Sequence, residues 1–141
     1  MIKKTYERDY IKLYNLIEKL QKTNEQIVIA IDGNSTSGKT TFAEVLNQKY
    51  DANIIHMDDY FRSQAQGPSS KVYANNIDFE RFLDRIVKPI ENNLDIKYQS
   101  FNCKTQKLSN DIILKKKQIT IVEGAYSMHR QFLLSCKLLF F

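Results

Sequence analysis

Apolar residues along this chain fall into two regimes, helical stripes and short unbroken runs, and the two take turns. Tyr6, Tyr10, Leu13, Tyr14, Ile17 and Leu20 share one face of a helix read over residues 5–24. Packing of that face on the rest of the domain is its ordinary reading, with a partner-binding helix as the alternative. Ile27, Val28, Ile29, Ala30 and Ile31 form an unbroken run, the signature of a strand buried on both faces, over residues 26–32. Helical spacing resumes with Phe42, Val45, Leu46 and Lys49, giving a helix to about residue 48. A second strand starts at Ala52 and carries Asp58 and Asp59 at its carboxyl end. Residues 62–76 are polar, contain Gly67, Pro68, Ser69 and Ser70, and read as a loop. Phe79, Phe82, Leu83, Ile86, Val87 and Ile90 make the next helical stripe, with Asp78 placed to cap it and Pro89 to end or bend its last turn. Between 96 and 114, Tyr98, Phe101, Ile112, Ile113 and Leu114 suggest a short hairpin. Residues 118–122 are a third buried strand, closing on Glu123 and Gly124, and Leu138, Leu139, Phe140 and Phe141 fit a fourth.

Helices alternating with unbroken apolar strands imply an α/β fold of three layers, a central parallel sheet covered by helices on both faces. The 141 residues suit a single domain over 1–141, of which 1–24 is the N-terminal helix. A composition of 43% hydrophobic and 26% charged residues belongs to soluble globular chains. No apolar run approaches bilayer-spanning length, and the first residues, from Met1 to Glu7, lack an apolar stretch of signal-peptide type. Cys103 and Cys136 have neither metal-ligand nor C-x-x-C spacing and read as reduced thiols. A cytoplasmic protein without membrane contact is therefore expected.

Candidate chemistry sits between the first strand and the helix after it. Gly33, Asn34, Ser35, Thr36, Ser37, Gly38, Lys39, Thr40 and Thr41 match the G-x-x-x-x-G-K-[ST] phosphate-binding pattern in full, in its strand–loop–helix context. The glycines let successive amide N–H groups converge on one anion, and the helix N-terminus adds partial positive charge. Lys39 is placed for the β- and γ-phosphates and Thr40 for Mg²⁺. ATP and Mg²⁺ are the implied cofactors. Such a cradle also absorbs part of the +5 net charge. The remaining lysines are scattered, and the tight run Lys115, Lys116, Lys117 precedes a strand as a solvated turn would, so nucleic acid is not an expected partner.

Ligands of open α/β sheets bind outside the carboxyl ends of the strands, which puts Asp58, Asp59 and Glu123 beside the phosphate loop. Adjacent aspartates also serve as loop entries or helix caps, and Glu123 has a solvated strand end as its bland reading.

Together these pieces resemble the uridine kinase-like family of P-loop small-molecule kinases. The matching segments are GNSTSGKTT, HMDDYFR from His56, NIDFERF from Asn76 and IVEGAYSMH from Ile121, in the family's order and across most of residues 26–135. The resemblance implies strand three between strands two and one, with strand four on the far side. It implies transfer of the γ-phosphoryl of ATP to the hydroxyl of a nucleoside-like small molecule, with Asp58 as the base that takes the hydroxyl proton. Asp59 would then be a Mg²⁺-side partner and Glu123 the metal-orienting acid. By the same pattern Asp78 holds ribose hydroxyls, although helix capping explains it nearly as well. Tyr98 and Phe101 are placed either to stack on a base or to pack the hairpin. His56 is read as structural, and His129 and Arg130 as surface residues.

The family continues past its Glu-Gly-Ala-Tyr region into an arginine-bearing lid, a further strand and an adenine-side loop. This sequence stops at Phe141, so the expectation is a C-terminally truncated chain without the lid arginines, able to bind phosphates with impaired turnover. A non-catalytic nucleotide-binding remnant is the competing function. A P-loop ATPase is the third, disfavoured because the DDYF segment sits where an acceptor site is expected.

Overall fold

The computed structural model describes residues 2–31, 39–60, 77–102, 104–124 and 138–140, with backbone alone for 2–10, 39–41 and 138–140. Helix α1 (Ile2–Thr23) leads into β1 (Ile27–Ile31). Helix α2 (Lys39–Lys49) leads into β2 (Ala52–His56) and a single 3₁₀ turn, Met57–Tyr60. A helical stretch follows as α3 (Phe79–Phe82), a π-helical segment Leu83–Val87 and α4 (Lys88–Glu91). Short strands β3 (Ile96–Tyr98), β4 (Phe101–Asn102), β5 (Lys107–Leu108) and β6 (Ile112–Leu114) precede β7 (Ile119–Glu123), and β8 is Leu138–Phe140.

The main sheet has the order β2-β7-β1-β8, and all its pairings are parallel. The third long strand therefore lies between the second and the first, as expected. Alternation along each strand explains the unbroken apolar runs. Ile27, Ile29, Ile31, Ile119 and Ile121 face a cluster with Leu13 and Ile17 of α1 and Phe42, Ala43 and Leu46 of α2. Val28, Ala30, Ile55 and Val122 face the other way, onto Phe79, Phe82, Ile86 and Ile90 and the start of the hairpin. Both faces are dry, so every β1 residue is buried and must be apolar. At the amino end of the sheet, the buried Asn53 donates from Nδ2 to the Lys115 carbonyl at 2.8 Å, satisfying its amide.

Pro89 does not end the helix. The helical path runs on to Glu91, and the residue after the π segment, Lys88, donates its N–H to the Leu83 carbonyl. Proline supplies no N–H and its ring presses on the preceding turn, so widening that turn is a physical accommodation. Residues 96–114 form two stacked antiparallel pairs rather than one ladder, β3 with β6 and β4 with β5. Gln99 and Ser100 on one arm oppose Ser109, Asn110 and Asp111 on the other, and Ser109 exchanges bonds of 2.9 Å with Ser100 through its backbone N–H and its hydroxyl. That extra residue acts as a bulge and re-aims the outer pair relative to the inner one.

Candidate functional site

Parallel register brings the strand ends to one edge of the sheet. Glu123 lies opposite Ile31 of β1 and His56 of β2. The Glu123 side chain is only 6% exposed, and one oxygen, Oε1, is 2.5 Å from His56 Nδ1. Its other oxygen, Oε2, is buried and has no hydrogen-bond partner among the described residues. The bond to Glu123 pushes the His56 pKa up, burial opposes the shift, and the charges of Glu123, Asp59 and Asp58 add to it. This pair went unseen in the sequence, because the partners are 67 residues apart and only the register joins them.

The 3₁₀ turn carries the adjacent aspartates to the same edge. Asp58 is exposed and Asp59 half-buried. Asp59 is a junction. Its Oδ2 accepts from the Tyr98 hydroxyl and its Oδ1 from the Phe101 N–H at 3.0 Å. Its backbone carbonyl accepts from Arg81 Nη2. The Tyr98 oxygen in turn accepts from the His56 N–H at 3.3 Å. Burial, then the bond to Asp59, raises the Tyr98 pKa above the ordinary phenol value. Arg81 lies over the Tyr60 ring at 4.4 Å, and burial pulls its guanidinium below its usual value. Tyr60 is fully buried, edge-on to Phe82 and Tyr98. Asp78 is the N-cap of α3, its Oδ1 accepting from the Arg81 N–H at 3.1 Å.

Asp58, Asp59 and Glu123 come to one edge. Tyr98 is 9% exposed and belongs to the core, whereas Phe101 is half-buried. Both Asp59 carboxylate oxygens accept from protein donors. Gly33, Asn34, Ser35, Thr36, Ser37 and Gly38 lie outside the described residues, as do the side chains of Lys39, Thr40 and Thr41, although the backbone of α2 begins at Lys39 as the motif requires. The 62–76 loop, both cysteines, His129 and Arg130 lie outside them too. Gly124 was passed over in the sequence. It has a φ of +131°, and a Cβ there would sit 3.0 Å from Met57 Cβ, so the close approach of β7 to the aspartate turn needs glycine.

The residues present fit a hard cation. A buried carboxylate oxygen without a donor is costly, and such an oxygen is the donor type that Mg²⁺ prefers. Among the described residues no three His, Cys, Asp or Glu side chains cluster as a metal cage. Mg²⁺ needs none, being held by one or two protein oxygens together with phosphates and water.

No protein-family model matches the chain, and no curated protein sequence does. Solved structures do. A candidate uridine kinase from Bacillus stearothermophilus superposes with a TM-score of 0.74 over 94% of this chain and 78% of that one, at 22% identity. The fold is that of the P-loop kinases. A candidate fructose transport system kinase from Silicibacter superposes with a TM-score of 0.59 at 17% identity, over 82% of this chain and 64% of that one. In open α/β sheets generally, ligands bind outside the carboxyl ends of the strands, the edge that Glu123 and the aspartate turn occupy here. No described helix is long and apolar enough to cross a membrane.

Proposed function

We propose that the protein transfers the γ-phosphoryl group of ATP to a hydroxyl of a small, nucleoside-like acceptor. The observation that carries this reading is the arrival of Glu123 and the Asp58 turn at the strand edge that also feeds the G-x-x-x-x-G-K-T motif into α2. Lys39 and the amides of residues 33–41 would hold the phosphates, and Thr40 and Glu123 would hold Mg²⁺. When bound, that ion neutralises charge on the β- and γ-phosphates. Asp58 takes the proton of the acceptor hydroxyl as its oxygen bonds to phosphorus and the bond to the ADP oxygen breaks. In this reading Asp78 caps α3 and Asp59 ties down the hairpin. The structural neighbours, by what they are called, support phosphoryl transfer to a small molecule.

The test is ADP formation from Mg·ATP against a panel of nucleosides and sugars, with product analysis. Acceptor-dependent ADP, reduced by 10²-fold or more in Asp58→Asn, on the order of a lost general base, is the expected result. ATP binding without turnover, or ADP release indifferent to every acceptor, overturns the reading.

A further inference from the structure

We propose that Asp59 is a positioning residue that docks the hairpin onto the turn bearing Asp58 and so fixes the acceptor-side wall of the site. The proposal rests on the kinase reading for the word acceptor, but the docking stands on geometry alone.

The hairpin divides into two parts with different supports. Its base is anchored by packing, since Ile96 and Tyr98 belong to the core and Leu114 packs against it. Among the described residues its outer pair has no place in that core. Phe101 is half-buried, while Asn102, Lys107 and Leu108 are exposed, and the bulge at Ser109 uncouples this pair from the face of the inner one. What the outer pair does have is the 3₁₀ turn, against which β4 lies. Two polar ties between arm and turn converge on the Asp59 carboxylate, through the Tyr98 hydroxyl at the end of β3 and the Phe101 N–H at the start of β4. The residue one step back along the turn is Asp58. The turn is itself fixed from the far side, because Arg81 donates to the Asp59 carbonyl and Asp78 accepts the Arg81 N–H.

A carboxylate suits this place better than a neutral acceptor. It has an oxygen for each donor, and bonds to an ionised acceptor are the stronger kind. With Asp59 removed, the base of the hairpin stays packed while the arm loses both ties beside Asp58. An acceptor seated between arm and turn would lose its wall, whereas the phosphate side would not notice.

The test has two independent readouts, applied to Asp59→Ala, to the milder Tyr98→Phe, and to Asp59→Asn as the conservative variant that keeps an acceptor for the Phe101 N–H. First, amide hydrogen exchange is followed residue by residue. In Asp59→Ala, exchange across 101–108 is expected to rise about tenfold or more, the change a lost charge-assisted hydrogen bond corresponds to, with β1 and β7 unchanged. Tyr98→Phe gives a smaller rise, and Asp59→Asn lies between. Unchanged exchange in the arm, or an equal rise in β7 from general loosening, overturns the docking. Second, steady-state kinetics with uridine, or the best acceptor of the panel, are expected to show an acceptor KM raised about tenfold with the KM for ATP unchanged. A rise in the ATP KM, or loss of kcat alone, overturns the positioning role. If the native protein shows no acceptor-dependent turnover, the kinase reading falls and the acceptor role with it, while the exchange result still decides the docking.

Discussion

At the scale of single residues, the constraint that sequence patterning hides best is Gly124. It follows Glu123 directly, holds φ at +131° and lets its N–H reach the Ile31 carbonyl at 3.0 Å. Gly124→Ala adds a methyl 3.0 Å from Met57 Cβ in a backbone region that L-residues avoid. We expect a loss of about 1–3 kcal/mol, read as a lower midpoint in urea. A variant as stable as the native protein would show that β7 and the aspartate turn have room to separate. The aspartates themselves were legible as types at a strand end, because charge after an apolar run is a local signal. Their division of labour was not. Asp58 and Asp59 are neighbours with the same side chain, and Tyr98 and Phe101, about forty residues onward and brought in by the hairpin, bond to the second of them. The pairing of His56 with Glu123 was opaque for the same reason.

Elements were more legible than their junctions. The long strands of the main sheet and α2 lie within a residue or two of where the apolar runs put them, since a strand buried on both faces leaves an unmistakable run. Less was visible where local preference yields to packing. The π-helical segment before Pro89 and the bulge between the two hairpin pairs both change register by one residue, and no periodicity announces that. Helix α1 is a case where two readings competed, and Ile17 allows a direct test. It is fully buried against β1 residues and α2. Ile17→Ala should lower stability by roughly 2–5 kcal/mol in a single cooperative transition, whereas Ile11→Ala, at 57% exposed, should change it by less than about 0.5 kcal/mol. Equal small effects at both positions would mean that α1 is a detachable arm, not part of the core.

For the whole molecule, alkali should be a sharper stress than acid. Tyr50 is pushed up to about 12 by burial and by the nearby Glu18 and Tyr14, and burial raises Tyr60 and Tyr98 further. A phenol whose folded pKa exceeds its unfolded value near 10 contributes stability below that pH and loses it as pH rises toward the folded value. These three of the eight tyrosines are therefore expected to ionise together with unfolding above about pH 10, as a cooperative late step in tyrosinate absorbance that coincides with loss of circular dichroism. Smooth ionisation of all eight with the fold intact would contradict it. The strand order also carries a consequence for how the chain becomes a protein. β1 and β2 share no edge, and both wait for β7, which slots between them. During synthesis the first two strands thus stand apart, without a partner between them, until residues 119–123 have emerged, and closing that long loop is the entropic step that should limit the folding rate. The edge that carries Glu123 and the aspartate turn would then be completed by the same insertion that closes the sheet.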